Sequence, residues 1–226
     1  MFIQIAIDGP SGSGKSTLAK GVAKKLGILY LDTGAMYRAC GLSAIRAGIS
    51  PKDEEKVKSM LEKMQLSIRY VNEQQRVFLG EDDVSDEIRR PEVSVAASDI
   101  SAIPEVRLKM VALQQEIAAS QSVVLDGRDI GSYVLPNADY KFFLTAKVEE
   151  RAKRRIAELN QKGIFSQSYE DVLSDIRYRD EQDSSRAFAP LKKMPEAIEI
   201  DTTKNEPEDT LFQLLSHLPE GIKKEN

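Results

Sequence analysis

Cysteine, histidine and tryptophan are nearly missing from this 226-residue chain, which has one cysteine (Cys40), one histidine (His217) and no tryptophan. A single cysteine excludes an intramolecular disulfide and a cysteine-built zinc site. Cys40 falls in an expected helix and reads as a small buried apolar residue. His217 lies near the C-terminus, in the last expected helix. A histidine pair, or a Ser-His-Asp arrangement around a core histidine, is therefore excluded as the source of chemistry. That work is left to Asp, Lys, Arg, backbone amides and metal. An excess of positive charge is lacking too. The net charge is −4, a poor match to a phosphodiester backbone, so no nucleic-acid partner is expected. The opening MFIQIAIDGP has no basic n-region and only a short apolar run. Neither a secretory signal nor a membrane span is expected, and the cytoplasm is the expected location. Internal repeats and low-complexity segments are also lacking.

What is present is enough for an ordinary core. Apolar residues make up 41% and charged residues 30%, as in a globular chain of one large domain carrying insertions. Phe2–Asp8 reads as a short apolar strand. A Gly/Ser-rich turn follows, and from Lys15 the period becomes helical: Leu18, Val22 and Leu26 share a face with Ala19 and Ala23, and Gly27 stops the run. Ile28–Leu31 is a second strand. Thr33 is read as the cap of a helix reaching Ala47, ended by Gly48. Three more buried strands are expected at Ser122–Asp126, Tyr140–Leu144 and Ala197–Asp201. Helices are expected at Glu105–Ala119, Val148–Lys162, Tyr169–Asp183 and Glu206–His217. Strands alternating with amphipathic helices predict a parallel sheet covered on both faces.

One stretch departs from that rhythm. Leu66–Tyr70 alternates, Asn72–Gln75 is a polar turn, Arg76–Leu79 alternates again, and Asp82–Val84 adds a third short strand. The pattern predicts an antiparallel hairpin or meander inserted in the α/β core. The charged tail Gly221–Asn226 is expected to fray.

The strongest chemical signal is Gly9, Pro10, Ser11, Gly12, Ser13, Gly14, Lys15 and Ser16, followed by Thr17, which fits G-x-x-x-x-G-K-[ST] between a strand and a helix. Glycines let consecutive amides converge, and the helix adds its positive dipole end. Lys15 can reach the β- and γ-phosphates of ATP, and the Ser16 hydroxyl can ligate Mg²⁺. A strand ending at Asp126 resembles a Walker B strand, although strands often end in Asp. Arg128 and Asp129 follow it, at the sheet edge where ligands of open α/β folds bind. Their bland reading is an ordinary turn with an Asp–Arg pair.

Arg179, Asp183 and Arg186 recur at helical spacing, so one face is expected to carry them. They are either a solvated ion-pair face or a phosphate clamp with Asp183 orienting both guanidinium groups. Planar, permanently charged arginine suits a migrating phosphoryl group. Arg151 is a further candidate for the donor nucleotide. Thr33, Arg38, Ser98 and Arg107 are placed by their turns and helix starts to meet an acceptor.

Together, IDGPSGSGKST at Ile7–Thr17, DTGAMYR at Asp32–Arg38, DDVSDEIR at Asp82–Arg89, AAS at Ala96–Ser98, DGRDIG at Asp126–Gly131 and RDEQDSSRAFAPL at Arg179–Leu191 resemble the bacterial cytidylate kinases, in the nucleoside monophosphate kinase family. The resemblance covers nearly the whole chain. It implies a P-loop α/β/α three-layer fold with a central parallel five-stranded sheet, a small antiparallel β insertion and a helical lid. Its implied division is a core of 1–60, 96–150 and 188–226, an acceptor-binding insertion of 61–95 and a lid of 151–187. The implied reaction turns ATP and CMP or dCMP into ADP and CDP or dCDP, in a chain expected to be a monomer. Residues Gly9–Thr17 are implied for ATP. Thr33, Arg38, Ser98, Arg107, Arg128 and Asp129 are implied for the acceptor, and Arg179, Asp183 and Arg186 for the lid and acceptor clamp. Lys15, Arg128, Asp129, Arg179 and Arg186 are the expected catalytic set. Two rivals stand beside this reading: a P-loop kinase for another small acceptor, such as adenylate, thymidylate or shikimate, and a nucleotide-binding switch. A guanine-specific switch would carry N-K-x-D, which the chain lacks.

Overall fold

The computed structural model describes residues 2–72, 74–161, 163, 165, 167–219 and 222. Five strands make one sheet: β1 (Gln4–Asp8), β2 (Leu29–Asp32), β6 (Val123–Gly127), β7 (Tyr140–Thr145) and β8 (Ile198–Asp201). Their spatial order is β2-β6-β1-β7-β8, and every neighbouring pair is parallel. The first strand of the chain is thus the middle of the sheet.

Alternation along β1 builds two cores. Ile5 and Ile7 face one side, where they meet Leu18, Val22 and Leu26 of α1 (Lys15–Leu26) and Leu214 of α8 (Pro207–Ser216). Ala6 faces the other side, against Met36 and Cys40 of α2 (Thr33–Arg46) and Val106 and Met110 of α5 (Pro104–Ser120). All these side chains are buried, and each larger one contributes about 1.5–3 kcal/mol by leaving water. The small side chain of Ala6 belongs where α2 and α5 crowd the strand. Cys40 is buried with its thiol beside the Met110 sulfur. His217 is the cap at the end of α8.

The second sheet is antiparallel and three-stranded: β3 (Leu66–Val71), β4 (Gln74–Leu79) and β5 (Asp82–Asp83). The expected turn at Asn72–Gln75 is shorter, since Gln74 and Gln75 already pair in β4; Glu73 lies outside the described residues. Val77, Val84 and Ile88 pack against Ala35, Ala39 and Leu42 of α2. The small sheet therefore sits over the helix that starts at the end of β2.

Two helices were not expected from the sequence, α3 (Glu54–Lys63) and α4 (Pro91–Ile100). The last elements are α6 (Val148–Gln161) and α7 (Tyr169–Ser185), which pack through Ala152, Leu159, Val172 and Ile176. The expected end of α6 at Lys162 and the tail Gly221–Asn226 lie outside the described residues, apart from Ile222. No described helix is long and apolar enough to cross a membrane.

Candidate active site

The site is built at the carboxyl edge of the large sheet, where a ligand belongs in an open α/β fold. Gly9, Gly12 and Gly14 take φ of 149°, 75° and 89°, which L side chains avoid. A Cβ at Gly9 would stand 2.2 Å from the Leu144 carbonyl oxygen. The loop's carbonyls are held from outside. Lys15 Nζ donates to Pro10 O at 2.6 Å, Arg151 Nη1 to Ser11 O at 2.9 Å, and Thr202 Oγ1 to Ser13 O at 3.0 Å. Ser13 N also donates to Pro10 O at 3.4 Å; the remaining loop amides and the start of α1 suit an anion.

Lys15 is 5% exposed and also approaches Ser13 Oγ at 3.3 Å. Burial, with nearby Arg128 adding to it, pushes its ammonium well below the ordinary lysine range. Among the described residues it has no ion-pair partner within 4.0 Å, only neutral oxygens. A buried cation so placed is completed by a phosphate. Ser16 Oγ donates to Asp126 Oδ2 at 2.8 Å, which joins the first turn of α1 to the end of β6. Thr17 is exposed at the same turn.

Asp8, the last residue of β1, accepts from the amides of Ile130 and Gly131 at 2.8 and 2.7 Å. Those bonds fix the segment after β6, where a turn of π-helix (Ile130–Val134) follows Asp129. Burial lifts the Asp8 carboxyl to about 6 against the pull of those two amides.

Beyond the loop lies a partly open cleft of about 140 Å³, and five arginines and four aspartates are among its lining residues. Arg107 is 1% exposed and pairs with Asp129, which also meets Arg186 at 3.4 Å. Arg128 Nε donates to Asp183 Oδ2 at 2.6 Å, and Arg186 reaches Asp183 Oδ1 at 3.6 Å. Arg38 and Arg89 each meet Asp32 Oδ2 at 2.9 Å. Burial alone would raise the Asp32 carboxyl, but these two guanidinium groups hold it far below the usual carboxylate range. Arg179 is the exception. Burial, then the neighbouring Arg128, pulls its guanidinium down to about 10.

Several polar atoms in or beside this cleft are buried and lack partners among the described residues: Tyr37 Oη, Ser98 Oγ and the Nε atoms of Arg38, Arg107 and Arg179. Unpaired buried donors are costly. Here their residues line a cleft rich in arginine, which suits a polar, anionic ligand. Arg107 also stands 5.5 Å from the Tyr37 ring and 6.0 Å from the Phe188 ring.

Three sequence-based expectations need correction. Thr33 is not the cap of α2. Asp32 is, accepting from Ala35 N at 2.8 Å, while the Thr33 hydroxyl donates to Asp126 O at 2.6 Å. A carboxylate already turned toward the helix start by Arg38 outcompetes the following hydroxyl. Arg186 does not share the helical face of Arg179 and Asp183, because α7 ends at Ser185 and Arg186 is extended. Its Nε donates to Ala189 O at 2.7 Å instead, closing the turn toward Pro190. Asp183 orients Arg128 and Arg186, not Arg179 and Arg186. Arg38, Ser98, Arg107, Arg128, Asp129, Arg179, Asp183 and Arg186 do line one cleft with Ser16 and Thr33. Arg151 braces the phosphate loop from outside and meets Asp180 of α7 at 2.6 Å. Tyr30, Tyr37, Gln75 and Arg89 were not singled out from the sequence. Tyr37 and Arg89 fall within the segments DTGAMYR and DDVSDEIR, and Tyr30 and Gln75 reach the site through pairings distant in the chain.

A model of the cytidylate kinase family matches residues 5–220. The cytidylate kinase of Caldicellulosiruptor bescii is 49% identical over 99% of this chain and 98% of that protein. The cytidylate kinase of Halalkalibacterium halodurans is 49% identical over 97% of this chain and 99% of that protein. Among solved structures, an uncharacterized protein from Eubacterium ventriosum aligns with a TM-score of 0.52 at 14% identity, covering 95% of this chain and 97% of its own. That last likeness shows the fold alone.

Proposed function

This chain belongs to the cytidylate kinase family, and from that premise we propose how its residues divide the work of moving the γ-phosphoryl group of ATP to CMP or dCMP. ATP is the donor, and CDP or dCDP and ADP are the products. The observation that carries the assignment is the row of buried, partnerless guanidinium Nε and hydroxyl groups beside the phosphate loop.

Gly9–Thr17 hold the triphosphate, with Lys15 at its β- and γ-phosphates and Arg151 keeping the loop in shape. Arg38 and Arg128 receive the acceptor phosphate. Arg107, Ser98 and Asp129 face the cytosine, and Thr33 shapes the floor between the two nucleotides. Arg179 and Arg186 neutralise the group in flight, with Asp183 holding Arg128 and Arg186 apart in fixed orientation. The stretch 61–95 serves as the acceptor-binding insertion on a core of 1–60, 96–150 and 188–226, and 151–187 is the lid. These elements exclude water, which would otherwise take the phosphoryl group.

The pair Ser16 Oγ and Asp126 fits Mg²⁺. Hard oxygens stand side by side at the phosphate loop, and one is a buried carboxylate that burial and neighbouring Asp32 push toward its neutral form. When bound, Mg²⁺ neutralises the developing charge on the β,γ-phosphates. No general base is required. A nucleoside monophosphate is largely ionised at neutral pH, its second pKa being near 6, and phosphoryl transfer of this kind depends on positioning and charge neutralisation. A chain with one histidine can therefore carry out the reaction.

The test is ADP release from ATP with each common nucleoside monophosphate. Turnover is expected with CMP and dCMP, weaker turnover with UMP, and none above background with AMP or dTMP. ATP consumption that ignores the acceptor would defeat the assignment of the arginine cleft.

A further inference from the structure

Tyr30 lies outside every motif in the sequence, yet it touches the centre of the site. β2 runs parallel to β6 with Tyr30 beside Val124 and Asp32 beside Asp126. Residues two apart on a strand share a face, so Tyr30, Asp32 and Asp126 stand on the side that meets the start of α1. The Tyr30 hydroxyl donates to Asp126 Oδ1 at 2.9 Å, while Ser16 Oγ donates to Oδ2 at 2.8 Å. One donor on each oxygen fixes the carboxylate plane and leaves each oxygen a second lone pair.

The two neighbouring carboxylates are treated differently. Asp32 is neutralised by Arg38 and Arg89. Asp126 has no ion-pair partner among the described residues, and hydroxyl groups hold it instead. A phenol is protonated at neutral pH, so the Tyr30 hydroxyl is a donor there. Its backbone is also tied down. Tyr70 of the small sheet donates its hydroxyl to Tyr30 O at 3.0 Å, and the Gln75 amide both accepts from Asp32 N and donates to Asp32 O.

We propose that Tyr30 is a positioning residue: its hydroxyl holds the Asp126 carboxylate in the orientation that receives the divalent cation of MgATP. This rests on the reading of Asp126 as the metal-organising carboxylate. A packing role is the alternative, because the Tyr30 ring also borders the apolar cluster beneath α1. The two roles separate cleanly, since Tyr30→Phe keeps the ring and removes only the hydroxyl.

The experiment is a calorimetric titration of Tyr30→Phe with ATP in excess Mg²⁺ and in EDTA, beside a free-Mg²⁺ titration of ADP release at saturating CMP. Thermal melting is recorded for each protein. The half-saturating Mg²⁺ concentration is expected to rise about tenfold, the low end for losing an outer-sphere partner of a metal ligand. ATP affinity in EDTA and the KM for CMP stay as in the wild type. An unchanged Mg²⁺ dependence overturns the proposal, and so does equal weakening with and without Mg²⁺. Asp126→Asn run in parallel separates the two failures. If it too leaves the Mg²⁺ dependence unchanged, the reading of Asp126 falls. If only Tyr30→Phe is silent, the positioning role alone falls.

Discussion

Lys15→Ala lowers kcat about a thousandfold, near 4 kcal/mol of transition-state stabilisation, and leaves the melting temperature close to that of the wild type. The two halves of this result have separate causes. The ammonium is buried against the Pro10 carbonyl and the Ser13 hydroxyl, without a carboxylate partner among the described residues. Desolvating an ammonium against neutral oxygens stabilises the fold little, so truncation relieves a strain as well as removing two hydrogen bonds. In the proposed reaction the same ammonium would face the phosphate whose negative charge shifts as the bond breaks. That interaction is stronger in the transition state than in the ground state, and its loss appears in kcat. Lys15→Arg is not expected to rescue, because a planar guanidinium does not fit the pocket between Pro10 and Ser13. Steady-state ADP release at saturating CMP, with a thermal melt on the same sample, checks both halves. Turnover within a few-fold of wild type would remove Lys15 from the phosphate site.

Asp129→Ala has the opposite profile, striking both the fold and the selectivity. Asp129 is 4% exposed and sits between Arg107 and Arg186, themselves almost fully shielded. Its removal leaves the buried Arg107 guanidinium without its counter-charge and Arg186 with Asp183 alone, a loss of about 3 kcal/mol. The melting temperature should fall by several degrees or more. In the proposed acceptor site Asp129 would offer its carboxylate to the exocyclic amine of cytosine. Uracil presents a carbonyl oxygen at that place, which a carboxylate repels and leaves unpaired. The CMP-to-UMP ratio of kcat/KM should therefore fall about a hundredfold, near 2.7 kcal/mol. Asp129→Asn separates the two effects. It keeps the volume, and its NH₂ can donate to uracil O4, so the ratio narrows while more of the stability remains. A variant that melts early yet keeps the wild-type ratio would show Asp129 to be an ion-pair residue only.

The central parts of this architecture can be read locally. The loop from Gly9 to Ser16 announces itself because its glycines, Lys15 and Ser16 lie within eight consecutive positions. The five parallel strands are short, apolar and bounded by turns. The helices α3 and α4 were not legible, for physical reasons visible in the packing. In α3 only Val57 and Leu61 are buried, too few to impose a period on ten mostly charged residues. In α4 the contact is made by small side chains. A Cβ on Gly41 of α2 would come within 2.9 Å of the Ala97 amide nitrogen, so the two helices touch nearly backbone to backbone. Close packing of this kind needs Ala and Ser, which give little hydrophobic signal.

The same distinction applies to the site. Arg128, Asp129, Arg179, Asp183 and Arg186 were visible as charged clusters, but not their pairing. Arg128 with Asp183 and Arg107 with Asp129 join segments far apart in the chain, and local spacing carries no information about such partners. Spacing misled at Arg186, where an extended residue past the end of α7 was counted as a third position on its face. No local spacing marks the roles of Tyr30 and Arg89, because each acts through a carboxylate on another element.

The whole reading depends on donor and acceptor lying in one continuous pocket, with the loop at one end and the arginine cleft at the other. The most direct measurement is inhibition by a single molecule carrying adenosine and cytidine joined through a five-phosphate chain. It should bind one per chain and compete linearly with ATP and with CMP alike. Competition with only one of the two substrates would place them in separate sites and contradict the account.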